Sequence, residues 1–124
     1  GHSLYPGTGA ATETGKGKAI GTKLNIPMPP HADDNAFMQA WESVEEFLLK
    51  HGADFILLQC GADSIKGDPI THMEYTEQAH AHATKRLSAL ADQLCQGRLI
   101  AMGGGGYNHQ NIAKTWAAVV ANMV

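Results

Sequence analysis

The sequence contains only two cysteines, no basic field and no long apolar run, and each absence excludes a class of protein. Cys60 and Cys95 are too few for a disulfide framework. Cys60 falls at a predicted strand end and Cys95 near a predicted helix end, so both read as small buried apolar groups. A reducing cytoplasm is the expected compartment. The formal net charge is −3, and no dense Lys/Arg run draws the chain to nucleic acid or anionic lipid. No apolar stretch approaches the roughly 20 residues that span a bilayer, and no signal-peptide pattern is visible. The nucleotide-binding sequences G-x-G-x-x-G and G-x-x-x-x-G-K-[ST] are missing, as is His-Glu-x-x-His. There is no internal repeat and no low-complexity tract.

What remains is a globular composition, 44% hydrophobic and 17% charged, in a chain of at most one small domain. Residues 1–21 are rich in Gly and Thr and read as loop. Thr22-Lys23-Leu24-Asn25-Ile26 alternates polar and apolar, which predicts a short strand stopped by Pro27, Pro29 and Pro30. Asp33 or Asp34 opens a predicted helix to about His51, with Phe37, Trp41, Val44 and Leu48 as its apolar stripe and Gly52 as its stop. Phe55-Ile56-Leu57-Leu58 has no polar interruption, as in a strand covered on both faces. A long loop over 61–75 follows, then a helix from a Thr76 cap to about Gln96 with Leu87, Leu90, Ala91 and Leu94 buried. Arg98–Met102 is a second buried strand. A last helix opens at Asn108 or His109 and carries Ile112, Thr115, Trp116, Val119 and Val120 at helical spacing. Alternating strands and helices predict an α/β fold, a parallel sheet with helices on both faces.

Open α/β sheets place their chemistry at the C-terminal ends of strands. Two such ends stand out, Gln59-Cys60-Gly61-Ala62-Asp63 and Gly103-Gly104-Gly105-Gly106-Tyr107-Asn108. Four glycines in a row let backbone approach something closely, and Tyr107 at their end can present a hydroxyl at a fixed point. One rival reading is a phosphate cradle at a helix N-terminus. Another is a tight turn with Tyr107 packed in the core. Asp63 reads either as a turn or capping residue or as a metal ligand. Asp68 before Pro69 reads as a turn former. The seven histidines offer little: His80 and His82, two apart on a predicted helix, point about 200° apart and cannot share a metal. His109 reads as a cap or a solvent-facing residue, and His2, His31, His51 and His72 lie in loops or at a helix end. Ser64 lacks a nucleophile-elbow context. Trp41 and Trp116 read as core.

Together these segments resemble the C-terminal part of the zinc-dependent histone deacetylase family, which includes bacterial acetoin-utilisation proteins and acetylpolyamine amidohydrolases. The resemblance is colinear through Tyr5-Pro6-Gly7-Thr8-Gly9, Lys23-Leu24-Asn25-Ile26-Pro27, Leu58-Gln59-Cys60-Gly61-Ala62-Asp63-Ser64-Ile65, Gly67-Asp68-Pro69 and Gly103-Gly104-Gly105-Gly106-Tyr107-Asn108. It implies an arginase/deacetylase-like fold, with residues 1–124 as the C-terminal portion of a catalytic domain. It implies a hydrolase acting on acetyl-lysine or an acetylated amine, with Asp63 as one Zn2+ ligand and Tyr107 as the donor to the substrate carbonyl and its oxyanion. Gly104, Gly105 and Gly106 would line a substrate tunnel, with Tyr5 and Ile70 near its wall. Gly61 and Asp68 match positions that look structural.

The departure from the family pattern is as informative. Its other zinc ligands lie on an Asp-x-His segment and its acid/base groups are a His-His pair, and this sequence contains neither. The 124-residue chain is therefore expected to be inactive alone, not to bind zinc tightly, and to need its N-terminal half or self-association to cover an exposed sheet edge. A non-catalytic stand-alone module that binds a partner or ligand is the alternative.

Overall fold

The computed structural model describes residues 6–124. Its elements are α1 (Asp34–His51), β1 (Ile56–Gln59), α2 (Glu77–Cys95), β2 (Leu99–Met102) and α3 (His109–Ala121), after a single 3-10 turn at Gly17–Ala19. Each long helix begins where a short polar side chain can satisfy free backbone donors. The Asp33 carboxylate accepts the Ala36 N–H at 3.0 Å. Thr76 accepts from Gln78 at 3.2 Å, and Asn108 accepts from Gln110 at 3.0 Å and Asn111 at 3.3 Å. Gly52 ends α1 at φ +72°, and Gln96 with Gly97 turns the chain out of α2 at positive φ.

β1 and β2 pair in parallel, with Ile56 opposite Leu99 and Gln59 opposite Met102, and α2 forms the crossover between them. The main core lies between this pair and the helices: Ile56, Leu87, Leu90, Ala91 and Cys95 are buried, and Trp41, Leu48, Leu58, Leu94 and Leu99 pack on them. A second cluster of Ala32, Ile65, Tyr75 and Ala79, with Met28, Phe37 and Met73 against it, holds the 61–75 loop to the start of α1. That loop is folded back on itself by the bridge Ile65–Tyr75 and tied to the α1 cap by the bridge Asp33–Glu74. Both cysteines are free and buried, as expected, and burial pushes the Cys60 thiol pKa up.

The α/β fold expected from the alternation is the one adopted, with three local differences. Residues 22–26 form no strand. Asn25 instead turns its side-chain amide to the Ala10 and Glu13 carbonyls at 3.0 and 2.9 Å, so the segment braces the preceding loop. β1 is covered on one face only among the described residues: Ile56 is buried while Leu57 is 66% exposed, and Ile100 and Met102 are exposed beside it. The helix stripes are also narrower than their periodicity predicts. No α1 residue is fully buried, and Val120 on α3 faces solvent while Thr115 and Val119 are buried.

α1 and α2 are joined by a two-pronged ion pair. Arg86 donates from Nε and Nη2 to the two Glu45 oxygens at 2.6 and 2.5 Å, and the Trp41 indole N–H donates to Glu45 at 2.9 Å. The Arg86 hydrogen bond is the chief cause holding the Glu45 carboxyl below its usual pKa. A lowered folded-state value means that the pair stabilises the fold above the ordinary carboxylate range and is lost as pH falls through the lowered value. Glu45→Gln is expected to cost about 1 kcal/mol at neutral pH, measured by chemical denaturation. The gap from wild type should close in strong acid, and equal midpoints at neutral pH would refute this role.

Candidate functional site

The parallel pairing puts the C-terminal ends of β1 and β2 on one edge, and the loops that leave them stay joined. The Cys60 N–H donates to the Met102 carbonyl at 2.8 Å, and the Ala62 N–H donates to Gly105 at 2.6 Å. Two side chains from the helical layer hold this edge. The Trp116 indole N–H donates to the Cys60 carbonyl at 2.8 Å, and the His80 Nε2 bonds to the Gly61 carbonyl at 2.8 Å. That bond makes Nε2 the donor, so Nδ1, buried and unpartnered among the described residues, carries the acceptor lone pair in the neutral ring.

The glycines are explained by what lies beside them. A Cβ on Gly104 would overlap the Gln59 side-chain amide. A Cβ on Gly105 would stand 2.5 Å from Asp63 Oδ2 and 2.7 Å from its carboxyl carbon. The loop thus lies directly against the Asp63 carboxylate. A negative group in that place opposes a phosphate cradle, which needs unshielded N–H donors. The other rival falls as well, because Tyr107 is 59% exposed and not in the core.

Asp63 is half-buried. Its backbone carbonyl accepts the Thr71 hydroxyl, but no N–H or O–H of the described residues donates to its carboxylate. It is therefore not the capping residue that an isolated Asp suggests. Asp68 does more than form a turn. It is 7% exposed; Oδ1 accepts the Ile70 N–H at 2.8 Å and the Thr71 N–H at 3.4 Å, and Oδ2 accepts the Tyr107 N–H at 2.9 Å. Asn111 adds a second tie, donating to the Lys66 carbonyl at 3.2 Å.

Structure thus brings together Asp63, Gly104, Gly105, Gly106 and Tyr107 at one edge, with the exposed Ile70 joined to Tyr107 through Asp68. Tyr5 lies outside the described residues. Among those described, no three His, Cys, Asp or Glu side chains could hold a metal ion together. These residues do not fit a complete zinc site; they offer the Asp63 carboxylate, which accepts no hydrogen bond from the described residues. His31 pairs with Glu74 at 3.0 Å, His51 bonds the Phe47 carbonyl at 2.8 Å, and His109 is exposed at the start of α3. His80, Trp116 and the Asp68–Tyr107 link carry no sequence signal of their own, since each joins residues 19 to 56 positions apart. Gly105→Ala is expected to destabilise the fold by about 1–3 kcal/mol in denaturant unfolding, because backbone and Asp63 must separate. An unchanged midpoint would show that the close approach is dispensable.

The sequence matches the family described as histone deacetylase domain over residues 1–123. It is 35% identical over 125 residues to the acetoin utilization protein AcuC of Bacillus subtilis (strain 168), covering 99% of this chain and 32% of that protein. It is 39% identical over 106 residues to a probable deacetylase of Archaeoglobus fulgidus, covering 85% of this chain and 30% of that protein. The fold superposes on the histone deacetylase Clr3 with a TM-score of 0.87 at 29% identity, over 97% of this chain and 20% of that one. It superposes on a histone deacetylase homologue solved in complex with SAHA with a TM-score of 0.85 at 28% identity, over 97% and 32%. The chain spans about a third of the length of the curated relatives it matches. No helix among the described residues is long and apolar enough to cross a membrane. A match over nearly the whole chain, in sequence and in fold, shows that it belongs to the histone deacetylase family.

Proposed function

We propose that this chain is the C-terminal part of a zinc-dependent amidohydrolase that removes acetyl groups from acetyl-lysine or acetylated amines. The observation that carries the reading is the Asp63 carboxylate lying against Gly105, two residues before the exposed Tyr107. Asp63 would supply one protein ligand of the roughly three a catalytic zinc needs, and a zinc completed by ligands from outside this chain would supply Lewis-acid chemistry for an amide carbonyl. The Tyr107 hydroxyl donates to the carbonyl oxygen and meets the negative charge that develops on it. Gly104, Gly105 and Gly106 would line the substrate tunnel with Ile70 near its wall, the absence of side chains admitting a narrow acyl-amine arm.

We assign the remaining ligands and the acid/base pair to sequence outside this chain, which spans about a third of its relatives' length. The same missing part is the occupant we assign to the open face of Leu57, Ile100 and Met102. The chain alone is accordingly inactive and works in a soluble, cytoplasmic protein with no nucleic-acid partner. The absence of a three-ligand metal group among the described residues favours one other reading, a non-catalytic module that binds a partner or ligand.

Zinc per chain, measured by elemental analysis of the dialysed 124-residue protein, should be near zero. One tightly held zinc would favour the stand-alone module, and self-association without zinc would make a second copy the occupant of the open face. In the complete protein, Tyr107→Phe is expected to keep zinc and lower kcat about 10²–10³-fold. Asp63→Ala should lose the zinc itself. Normal turnover in Tyr107→Phe would overturn the oxyanion role.

A further inference from the structure

One buried carboxylate joins the two loops of the site. Asp68 belongs to the loop that leaves β1, yet its Oδ2 takes the backbone N–H of Tyr107, in the loop that leaves β2. Its Oδ1 takes the N–H groups of Ile70 and Thr71. Thr71 in turn donates its hydroxyl to the Asp63 backbone carbonyl. A single short side chain therefore fixes the backbone at Tyr107 relative to Ile70 and, through Thr71, relative to Asp63. Asp68 is 7% exposed, so water does not compete for these bonds. The loop before Tyr107 runs through four glycines and has no side chains of its own to anchor it. Gly106, at φ +140°, is the last of them. The N–H of Tyr107 is the first anchored point beyond them, tied to the loop that leaves β1.

We propose that Asp68 is the positioning residue for Tyr107, setting the height at which the tyrosine stands over Asp63 and the distance between Tyr107 and Ile70 across the substrate arm. The proposal rests on the catalytic reading of Tyr107 given above. Only a carboxylate serves all the donors: both oxygens accept and neither donates. An asparagine in its place keeps one acceptor, and its amide N–H2 would face an N–H of one of the two loops. Tyr107 would then shift without any loss of its hydroxyl, and a misplacement of about 1 Å in a catalytic group is enough to cost up to about 100-fold in rate.

The test is a double-mutant cycle in the complete protein with Asp68→Asn and Tyr107→Phe, read as kcat, KM and zinc content. Asp68→Asn is expected to lower kcat by about tenfold or more, with KM and zinc little changed. In the Tyr107→Phe background the same substitution should change kcat less than about twofold, because the group it positions is already gone. An equal fold-loss in both backgrounds would mean that Asp68 acts on the fold in general, and the proposal would fail. Amide hydrogen exchange separates this from a failure of the catalytic reading. The Tyr107 N–H should be protected in wild type and exposed in Asp68→Asn; unchanged protection overturns the positioning role, whatever Tyr107 does in turnover. If Asp68→Asn does not fold, replacing Tyr107 by its α-hydroxy analogue deletes only the N–H. That ester should lower kcat while leaving zinc in place, and an unaltered kcat refutes the proposal.

Discussion

Everything at the candidate site depends on the parallel register of two four-residue strands. Ile56 opposite Leu99 and Gln59 opposite Met102 place both strand exits on one edge. An antiparallel pairing would send Asp63 and Tyr107 to opposite ends of the sheet. Parallel strands need a long crossover, and α2 supplies it while burying Leu87, Leu90, Ala91 and Cys95 against the pair. Helix packing and site geometry are therefore consequences of the same connection.

From that edge outward, order is maintained by backbone contacts more than by side-chain packing. The ladder continues past the strands through Cys60–Met102 and Ala62–Gly105. The close approach of Gly104 and Gly105 to Gln59 and Asp63 leaves no room for a Cβ. Tight backbone packing of this kind has few ways to relax, because it has no rotamers to change. Trp116 and His80 hold the carbonyls of Cys60 and Gly61 from the helical side. The site faces outward on a frame that is bonded from behind.

The open face of the sheet shows the opposite condition. Leu57 at 66% exposure sits on the face that α2 does not cover. A two-stranded sheet is marginal by itself, and the chain spans about a third of its curated relatives. The continuous apolar run of β1 predicted burial on both faces, and among the described residues only one face is covered.

The sequence by itself determined the helices, the two strands and the Thr76 cap, and narrowed the other caps to Asp33 or Asp34 and to Asn108 or His109. Asp33, Thr76 and Asn108 act through backbone donors two or three residues away, and the apolar periods of α1–α3 depend on neighbours three or four residues apart. It also marked the two strand ends, because four consecutive glycines are costly unless backbone must pass close to something. Only tertiary structure decided what that something is. That Gly105 meets Asp63, that Asp68 reaches Tyr107 and that Trp116 reaches Cys60 depend on contacts 39 to 56 residues apart, or across two loops. The short segment 22–26 failed for the same reason: alternation predicts a strand, but a strand exists only where a neighbour offers its edge, and here Asn25 is used to hold the 10–13 loop instead. Local chemistry sets caps and periods, whereas partners distant in sequence are chosen by how the layers pack.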